Sequence, residues 1–182
     1  RKEGFQFVLV GKTNSGKSCL LGRLTNAKPL ISENMFSTKE PEIGTFEYEG
    51  VKAQVIDLPA LGSEEFDKSV VHSADCLIAV VSNFEEYDEI KQEIENMRGK
   101  KIWVFNKSDL KSAEDLRKGV ERIKSKKLMG AVVSCEENFG IDVLKQLMFR
   151  EMEVLRVYTK EPGKKRTEDP IVLKPGATVK DV

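Results

Sequence analysis

The chain has 182 residues, of which 40% are hydrophobic, enough for a packed globular core. Its 30 Lys and Arg residues balance its 30 Asp and Glu residues, so no global attraction to nucleic acid is implied. No apolar run approaches the ~18 residues of a membrane span, and three dispersed cysteines with one histidine form no zinc pattern. We therefore expect a cytoplasmic protein with reduced cysteines and no membrane association.

Hydrophobic patterning predicts an alternation of strands and helices, which is typical of an α/β fold. The predicted strands cover residues 5–10, 43–49, 52–57, 75–81, 101–106 and 129–133, and the predicted helices cover 17–26, 64–73, 85–98, 111–126 and 140–155. The second and third strands are predicted to form a hairpin through Glu49-Gly50. We expect a mostly parallel six-stranded sheet with one antiparallel edge and helices on both faces.

The first predicted strand ends in a glycine-bounded loop, Gly11-Lys12-Thr13-Asn14-Ser15-Gly16-Lys17-Ser18, with the spacing of a phosphate-binding loop. Gly11 and Gly16 lack a Cβ, which lets successive backbone N–H groups point at phosphate oxygens. The helix N-terminus adds free N–H groups. Lys17 is expected to contact the outer phosphates and Ser18 to bind Mg²⁺. The remaining candidate nucleotide contacts in this loop are Asn14, Ser15 and Cys19.

A second polar motif ends the strand at residues 101–106. It reads Asn106-Lys107-Ser108-Asp109 and matches N-K-x-D, an element that guanine-nucleotide-binding proteins carry at a strand end. Asp109 can accept hydrogen bonds from the N1–H and the 2-amino group of guanine, whereas adenine offers no donor at either point. The stem of Lys107 is long enough to lie over the base, and Asn106 is expected to tie this loop to the phosphate loop.

Together the two motifs resemble those of a GTPase G domain. The resemblance implies a P-loop NTPase domain over residues 1–154 that binds GTP and GDP. It places Asp57, at the end of the strand 52–57, where a carboxylate would hold a Mg²⁺-bound water. It also places the N–H of Ala60 at the γ-phosphate. Ala60 departs from the usual D-x-x-G pattern, in which glycine lets that peptide turn over.

Residues 36–44 read FSTKEPEIG and resemble a stretch of the Obg-like GTPases and of the developmentally regulated GTP-binding proteins. In that register Thr38 is the switch I threonine, which would bind Mg²⁺ and contact the γ-phosphate. Thr45 is the alternative, although it lies at the start of a predicted strand. The pair Ser134-Cys135 resembles the S-A-K loop, whose backbone N–H contacts the guanine O6, and its cysteine is again similar to the developmentally regulated group.

Residues 155–182 resemble the start of a TGS domain, a ubiquitin-like β-grasp fold that follows the G domain in this group. The resemblance lies in residues 156–160 and 169–181, where Ile171-Val172-Leu173 precedes a Lys-Pro-Gly turn and favours a hairpin. The alternative is a solvated basic linker. About 28 residues are too few for a separate core. We therefore expect that the chain stops inside this domain and, because Arg1 comes first, that N-terminal residues are also absent.

The resemblance implies a nucleotide-state switch that hydrolyses GTP with Mg²⁺. It also implies association with the ribosome or RNA through the TGS region, and a regulatory protein partner. Lys17 and Thr38 would be its catalytic residues. Leu61 stands after the D-x-x-G position, where Ras-like proteins carry a glutamine that orients the attacking water, so hydrolysis should be slow. The alternative function is a GTP-binding module with negligible hydrolysis.

Two further expectations concern the phosphate loop and the segment after Asp57. Asn14 resembles the asparagine of K⁺-activated Era-like and TrmE-like GTPases, where it would hold K⁺ beside the phosphates; alternatively, it bonds within its own loop. Residues 60–69 are short for the switch II of developmentally regulated relatives. We therefore predict that Leu61-Gly62-Ser63 borders a disordered or displaced segment.

Overall fold

The computed structural model describes residues 4–25, 40–160, 162–167, 170–178 and 180. The strands of its main sheet are β1 (Phe5–Val10), β2 (Glu42–Tyr48), β3 (Val51–Asp57), β4 (Cys76–Val81), β5 (Lys100–Phe105) and β6 (Gly130–Val132). Their order across the sheet is β2-β3-β1-β4-β5-β6. Only the pair β2–β3 is antiparallel among these strands. The predicted mostly parallel six-stranded sheet with one antiparallel strand is confirmed.

The helices occur where the sequence predicts them, with shifts at their ends. They are α1 (Lys17–Leu24), α2 (Lys68–Ser73), α3 (Phe84–Ile94), α4 (Ala113–Ser125) and α5 (Ile141–Glu151). Helix α2 begins at Lys68 rather than at residue 64, because Asp67 caps it by accepting a hydrogen bond from the Ser69 N–H at 2.8 Å. None of the helices in the described part of the chain has both the length and the apolar character needed to cross a membrane.

The sheet is covered by helices on both faces, because its central strands are apolar on both sides. Phe7 and Leu9 of β1 belong to one buried cluster, and Val8 and Val10 belong to the other. The first cluster includes side chains of α1 and α5, and the second includes side chains of α2, α3 and α4. All six residues of β4 are buried, as expected for a strand in the middle of a parallel sheet.

The antiparallel edge is a two-residue hairpin. Tyr48 pairs with Val51, and the turn between them consists of Glu49 and Gly50. Both turn residues have positive φ, 52° and 76°, the conformation that tight hairpins require and that glycine adopts without strain. The predicted hairpin is therefore present.

The C-terminal part contains a second, two-stranded antiparallel sheet, formed by β7 (Leu155–Val157) and β8 (Ile171–Leu173). Arg156 joins it to the main domain, since its guanidinium bonds the Glu49 carboxylate at 2.7 Å and lies over the Phe149 ring at 5.2 Å. Residues 171–173 thus form a strand rather than a linker. The identity of this sheet as the start of a TGS domain, and the boundary at 154, stay predictions.

Candidate nucleotide-binding site

The sequence-predicted residues that the structure describes lie at the carboxyl edge of the main sheet. The phosphate loop follows β1, Asp57 ends β3, the N-K-x-D motif follows β5, and Ser134 and Cys135 follow β6. Parallel strands bring their carboxyl ends to one edge, where open α/β sheets bind ligands. Sequence positions more than a hundred residues apart therefore meet in one site.

Two positions of the phosphate loop require glycine, because neighbouring atoms leave no room for a Cβ. A Cβ at Gly11 would lie 2.5 Å from the Val80 carbonyl oxygen. Gly16 has φ 92°, and a Cβ there would collide with the Asn106 amide. Any other residue at Gly11 would push the loop away from β4, and any other residue at Gly16 would displace the Asn106 side chain.

Lys17 is the most buried cation of the site. Its side chain folds back into the loop, where Nζ donates to the carbonyl oxygens of Gly11 and Lys12, each at 3.2 Å. Burial lowers the pKa of Lys17, and the nearby carboxylates of Asp57 and Glu86 oppose this shift. A desolvated ammonium inside a loop of backbone N–H groups favours binding of an anion.

The start of α1 and the end of β3 meet through Ser18 and Asp57. The Ser18 hydroxyl lies 2.5 Å from Oδ2 of Asp57, which is fully buried. A hydroxyl and a carboxylate are hard oxygen donors, and Mg²⁺ is usually held by one or two such groups together with phosphate oxygens and water. The described residues contain no cluster of three or more His, Cys, Asp or Glu that would form a separate all-protein metal site. Ser18 and Asp57 therefore fit a Mg²⁺ bound alongside a nucleotide.

Asn106 connects the phosphate loop to the base-reading loops. Its Nδ2 donates to the Ser15 carbonyl oxygen at 3.0 Å, which is the contact expected of it. Its Oδ1 accepts from the Cys135 N–H at 3.2 Å. One buried amide thus fixes three loops relative to one another.

Asp109 is exposed and is held from one side. The hydroxyl of Ser134 donates to its Oδ1 at 2.5 Å, and the same hydroxyl accepts from the Glu137 N–H at 3.1 Å. Ser134 is fully buried, so it fixes the carboxylate from behind while the other face stays open to solvent. Lys107, before it, has φ 61° and caps a 3₁₀ turn over residues Ser108–Leu110. This arrangement can present a carboxylate to paired donors on a base.

A family profile described as "50S ribosome-binding GTPase" matches residues 6–107, which is more than half of the chain and includes the phosphate loop and the first two residues of the N-K-x-D motif. The chain belongs to this family. GTPase Obg of Aquifex aeolicus is 33% identical over an alignment 176 residues long, gaps included, that covers 81% of this chain and 50% of Obg. The chain thus spans about half the length of that relative.

An uncharacterized GTP-binding protein of Halobacterium salinarum is 25% identical, covering 96% of this chain and 70% of the relative. That alignment runs over 259 residues, more than this chain contains, so it includes long segments that this chain lacks. Among solved structures, an Era variant of Aquifex aeolicus bound to GDP and AlF₄⁻ matches with a TM-score of 0.69. The match covers 95% of this chain and 62% of Era at 20% identity, which shows the GTPase fold alone.

The backbone N–H of Cys135 is the one that the resemblance places near the guanine O6. In the structure it donates to Oδ1 of Asn106 at 3.2 Å. Its contact with a base stays a prediction. The sequence could not indicate the bond to Asn106, because that acceptor comes from another loop.

Sequence reasoning missed Arg23, which lies in the last turn of α1. Its Nε donates to the Cys135 carbonyl oxygen at 2.8 Å and its Nη2 donates to the Glu136 carbonyl oxygen at 3.2 Å. A guanidinium on two successive carbonyls orients the peptides of the loop after β6. No sequence signal links Arg23 to that loop, since the residues are distant in the chain.

The segment after Asp57 is folded as turns against the phosphate loop. The Leu61 N–H donates to the Gly11 carbonyl oxygen at 3.0 Å, and the Ser63 N–H donates to that of Ala60 at 3.0 Å. The Leu61 side chain packs against the apolar cluster beneath α2 and α3. The prediction that residues 61–63 border a disordered or displaced segment is therefore wrong, because these hydrogen bonds and the Leu61 packing hold them in place.

The remaining candidates have mixed outcomes. Thr38, with the whole stretch expected to form switch I up to residue 39, lies outside the described residues. Thr45 lies within β2, opposite Gln54, as its sequence context predicts. Asn14 is exposed at the tip of the phosphate loop with φ 61°, a left-handed conformation that asparagine tolerates better than most residues.

Proposed function

We propose that this chain binds GTP and GDP with Mg²⁺, hydrolyses GTP slowly, and presents different surfaces to a partner in the two nucleotide states. Membership of the GTPase family supports the nucleotide and the reaction at family level. The observation that carries the proposal for this chain is the approach of Ser18 and Asp57 to 2.5 Å beside the buried Lys17. This approach supports the proposal because it brings two hard oxygen donors next to the loop that we propose binds phosphate.

In the proposed reaction, water attacks the γ-phosphoryl group in line with the leaving diphosphate. The Lys17 ammonium and the loop N–H groups stabilise the charge that spreads over the phosphoryl oxygens. A bound Mg²⁺ would neutralise further phosphate charge beside Ser18 and Asp57. Thr38 and the Ala60 N–H are the proposed sensors of the γ-phosphate.

The slow rate of GTP hydrolysis in this proposal is inferred from the side chain of Leu61. Its side chain is apolar and packs into the core, so it supplies no hydrogen bond that could orient the attacking water. A cation or a partner must then supply the missing assistance. A partner that accelerates hydrolysis fits the proposed role as a switch.

The proposed base reading combines Asp109, Lys107 and the loop after β6. The open face of the Asp109 carboxylate would accept from the N1–H and the 2-amino group of guanine, and the stem of Lys107 would cover the ring. The partner proposed for the nucleotide-bound state is the ribosome or another RNA, with residues 155–182 as the contact region and as the start of a TGS domain. The family description supports a ribosomal partner.

The test is phosphate release from GTP over hours by the purified chain, with Mg²⁺ or with EDTA, and with or without ribosomes. We expect slow, Mg²⁺-dependent release that ribosomes accelerate and that is lost in Lys17→Met. Lys124→Met, at an exposed position of α4, is the matched control and should keep the wild-type rate. GTP binding without release under any condition would favour the alternative of a silent binding module. No GTP binding at all would refute the proposed function.

A further inference from the structure

The phosphate loop contains a second lysine that the proposed reaction does not use. Lys12 directly follows Gly11, and its side chain is 44% exposed, whereas Lys17 is buried. The Lys12 ammonium forms an ion pair with a carboxylate oxygen of Glu89 in α3. The loop therefore holds one buried lysine bonded to its own carbonyl oxygens and one half-exposed lysine bonded to another element.

Glu89 lies in the second turn of α3, and within the described part of the chain Lys12 is its only ion-pair partner. Glu86, one turn earlier, is engaged within its own helix cap, because its carboxylate accepts from the Ser82 N–H at 2.7 Å. An ion pair between two exposed side chains contributes little to stability. Lys12 and Glu89 can therefore separate with a small loss when a stronger partner is offered.

The backbone of Lys12 is held in place independently of its side chain. Its carbonyl oxygen accepts from the Ser15 N–H at 3.3 Å and from Nζ of Lys17 at 3.2 Å. Lys12 can therefore change the partner of its ammonium by side-chain rotation while the loop keeps its shape. The bond to Lys17 also places the flexible four-carbon stem of Lys12 beside the ammonium of the proposed phosphate contact.

We propose that Lys12 is a second phosphate-binding residue, which leaves Glu89 when a nucleotide binds and increases the preference of the site for GTP over GDP. This inference rests on the proposed function. A bond between an ammonium and a phosphate oxygen is charge-assisted on both sides. A triphosphate offers Lys12 more negative charge than a diphosphate does.

Glu89 then acts as a competitor of the phosphates for Lys12. Its carboxylate compensates one of two like charges that a short loop brings together, and a bound phosphate chain would compensate both. Removing the carboxylate should therefore strengthen nucleotide binding, whereas removing the ammonium should weaken it. The two changes should act through the same contact, so their effects should not be additive.

The first test is calorimetric titration of the nucleotide-free chain with GDP and with guanylyl imidodiphosphate, a GTP analogue that resists hydrolysis, in Mg²⁺ and low salt. Glu89→Gln should bind the analogue several-fold more tightly than the wild type does, with a smaller gain for GDP. Lys12→Met should bind the analogue several-fold more weakly, with a smaller loss for GDP. Equal losses for the two nucleotides would overturn the role of Lys12 in the preference for GTP.

A double variant separates the exchange of partners from a general charge effect. Glu89→Gln removes a negative charge near the site, and this alone attracts phosphate whether or not Lys12 is present. In the Lys12→Met background, the gain from Glu89→Gln should disappear. Glu93→Gln removes the same charge at an exposed position one turn further along α3, and it should keep the wild-type affinities. A gain of equal size with and without Lys12 would overturn the proposal.

The partner of the Lys12 ammonium can also be observed directly, by NMR of the chain labelled with ¹⁵N-lysine. The Nζ signal of Lys12, assigned by its loss in Lys12→Arg, should move when the GTP analogue is added. In Glu89→Gln the signal should differ from the wild type before the addition and match it afterwards. A Lys12 signal that stays in place when the wild type is saturated with the analogue would overturn the proposed exchange.

The same titrations distinguish this inference from the proposed function. A wild-type chain that binds neither GDP nor the analogue would refute the proposed function and this inference with it. A wild type that binds both nucleotides, with Lys12→Met indistinguishable from it, would overturn the inference and leave the proposed function intact. Lys12→Arg keeps the positive charge and should retain the wild-type preference for the analogue, whereas a loss equal to that of Lys12→Met would contradict a role for that charge.

Discussion

The phosphate-binding half and the base-reading half of the site hold their charged groups in different ways. In the first half, Lys17 and Asp57 are 7% and 0% exposed, so their charges are desolvated in the folded chain. In the second half, Asp109 is exposed and is held by the Ser134 hydroxyl. Electrostatic interactions are stronger where water is excluded. Changes in the phosphate half should therefore have larger effects on nucleotide affinity than changes in the base half.

The largest effect is expected from Lys17→Met, which removes the buried ammonium. GDP affinity should fall on the order of 10³-fold, because charge-assisted bonds to phosphate are lost. The nucleotide-free variant should be more stable than the wild type by about 1 kcal/mol, since a desolvated charge is replaced by an apolar chain of similar length. Calorimetric titration and urea unfolding measure the two quantities, with Lys124→Met as the control for both.

The stability gain of Lys17→Met should depend on pH. Burial lowers the pKa of Lys17 from the usual 10.5, so over the interval below 10.5 the folded chain binds fewer protons than the unfolded chain. The free energy of unfolding of the wild type should then rise with pH relative to the variant, and the gain should shrink. A gain that grows as the pH approaches 10.5 would contradict the burial of a charged Lys17.

The second effect tests the exposed carboxylate. Asp109→Asn should weaken GDP binding by about 10²-fold, because two charge-assisted hydrogen bonds are lost. It should improve binding of xanthosine diphosphate, since an amide can donate to the 2-keto group. Competition between GDP and xanthosine diphosphate for the variant measures this change in base specificity. Tight GDP binding by the variant with no response to the xanthine nucleotide would remove Asp109 from base reading and break the comparison of the two halves.

The third effect tests Arg23 as a positioning residue for the loop after β6. Arg23→Ala should weaken GDP binding by about tenfold, the equivalent of one net hydrogen bond. It should have little effect on 2-aminopurine riboside diphosphate, which lacks the 6-oxo group that this loop would contact. Arg23→Lys should restore part of the loss, and Arg117→Ala, at an exposed position of α4, is the control. An equal loss for both nucleotides would indicate a purely structural role.

The smallest effect concerns the exposed tip of the phosphate loop. If Asn14 holds K⁺ beside the phosphates, GTP hydrolysis should be several-fold faster in KCl than in NaCl at equal ionic strength. Asn14→Ala should lose that difference. Equal rates in the two salts would leave Asn14 with the local role that its left-handed conformation indicates.

The features that could be predicted from sequence depend on neighbours in the chain. The phosphate loop is a local motif, and strands such as β4 are apolar along their whole length, so both could be recognised. Helix α2 begins later than the sequence predicts, because the side-chain cap at Asp67 starts it at Lys68. The contacts of Arg23 with the loop after β6 could not be predicted from sequence. They join α1 to a loop that is distant in the chain and comes close only in the folded sheet.

The central claim is that the two halves form one site for a guanine nucleotide. The most direct measurement is calorimetric titration of the nucleotide-free chain with GDP and with ADP, in Mg²⁺ and at one salt concentration. The account predicts one GDP per chain, bound at least about 100-fold more tightly than ADP, because adenine leaves the Asp109 carboxylate without its donors. Equal affinity for the two nucleotides, or no binding of either, would contradict it.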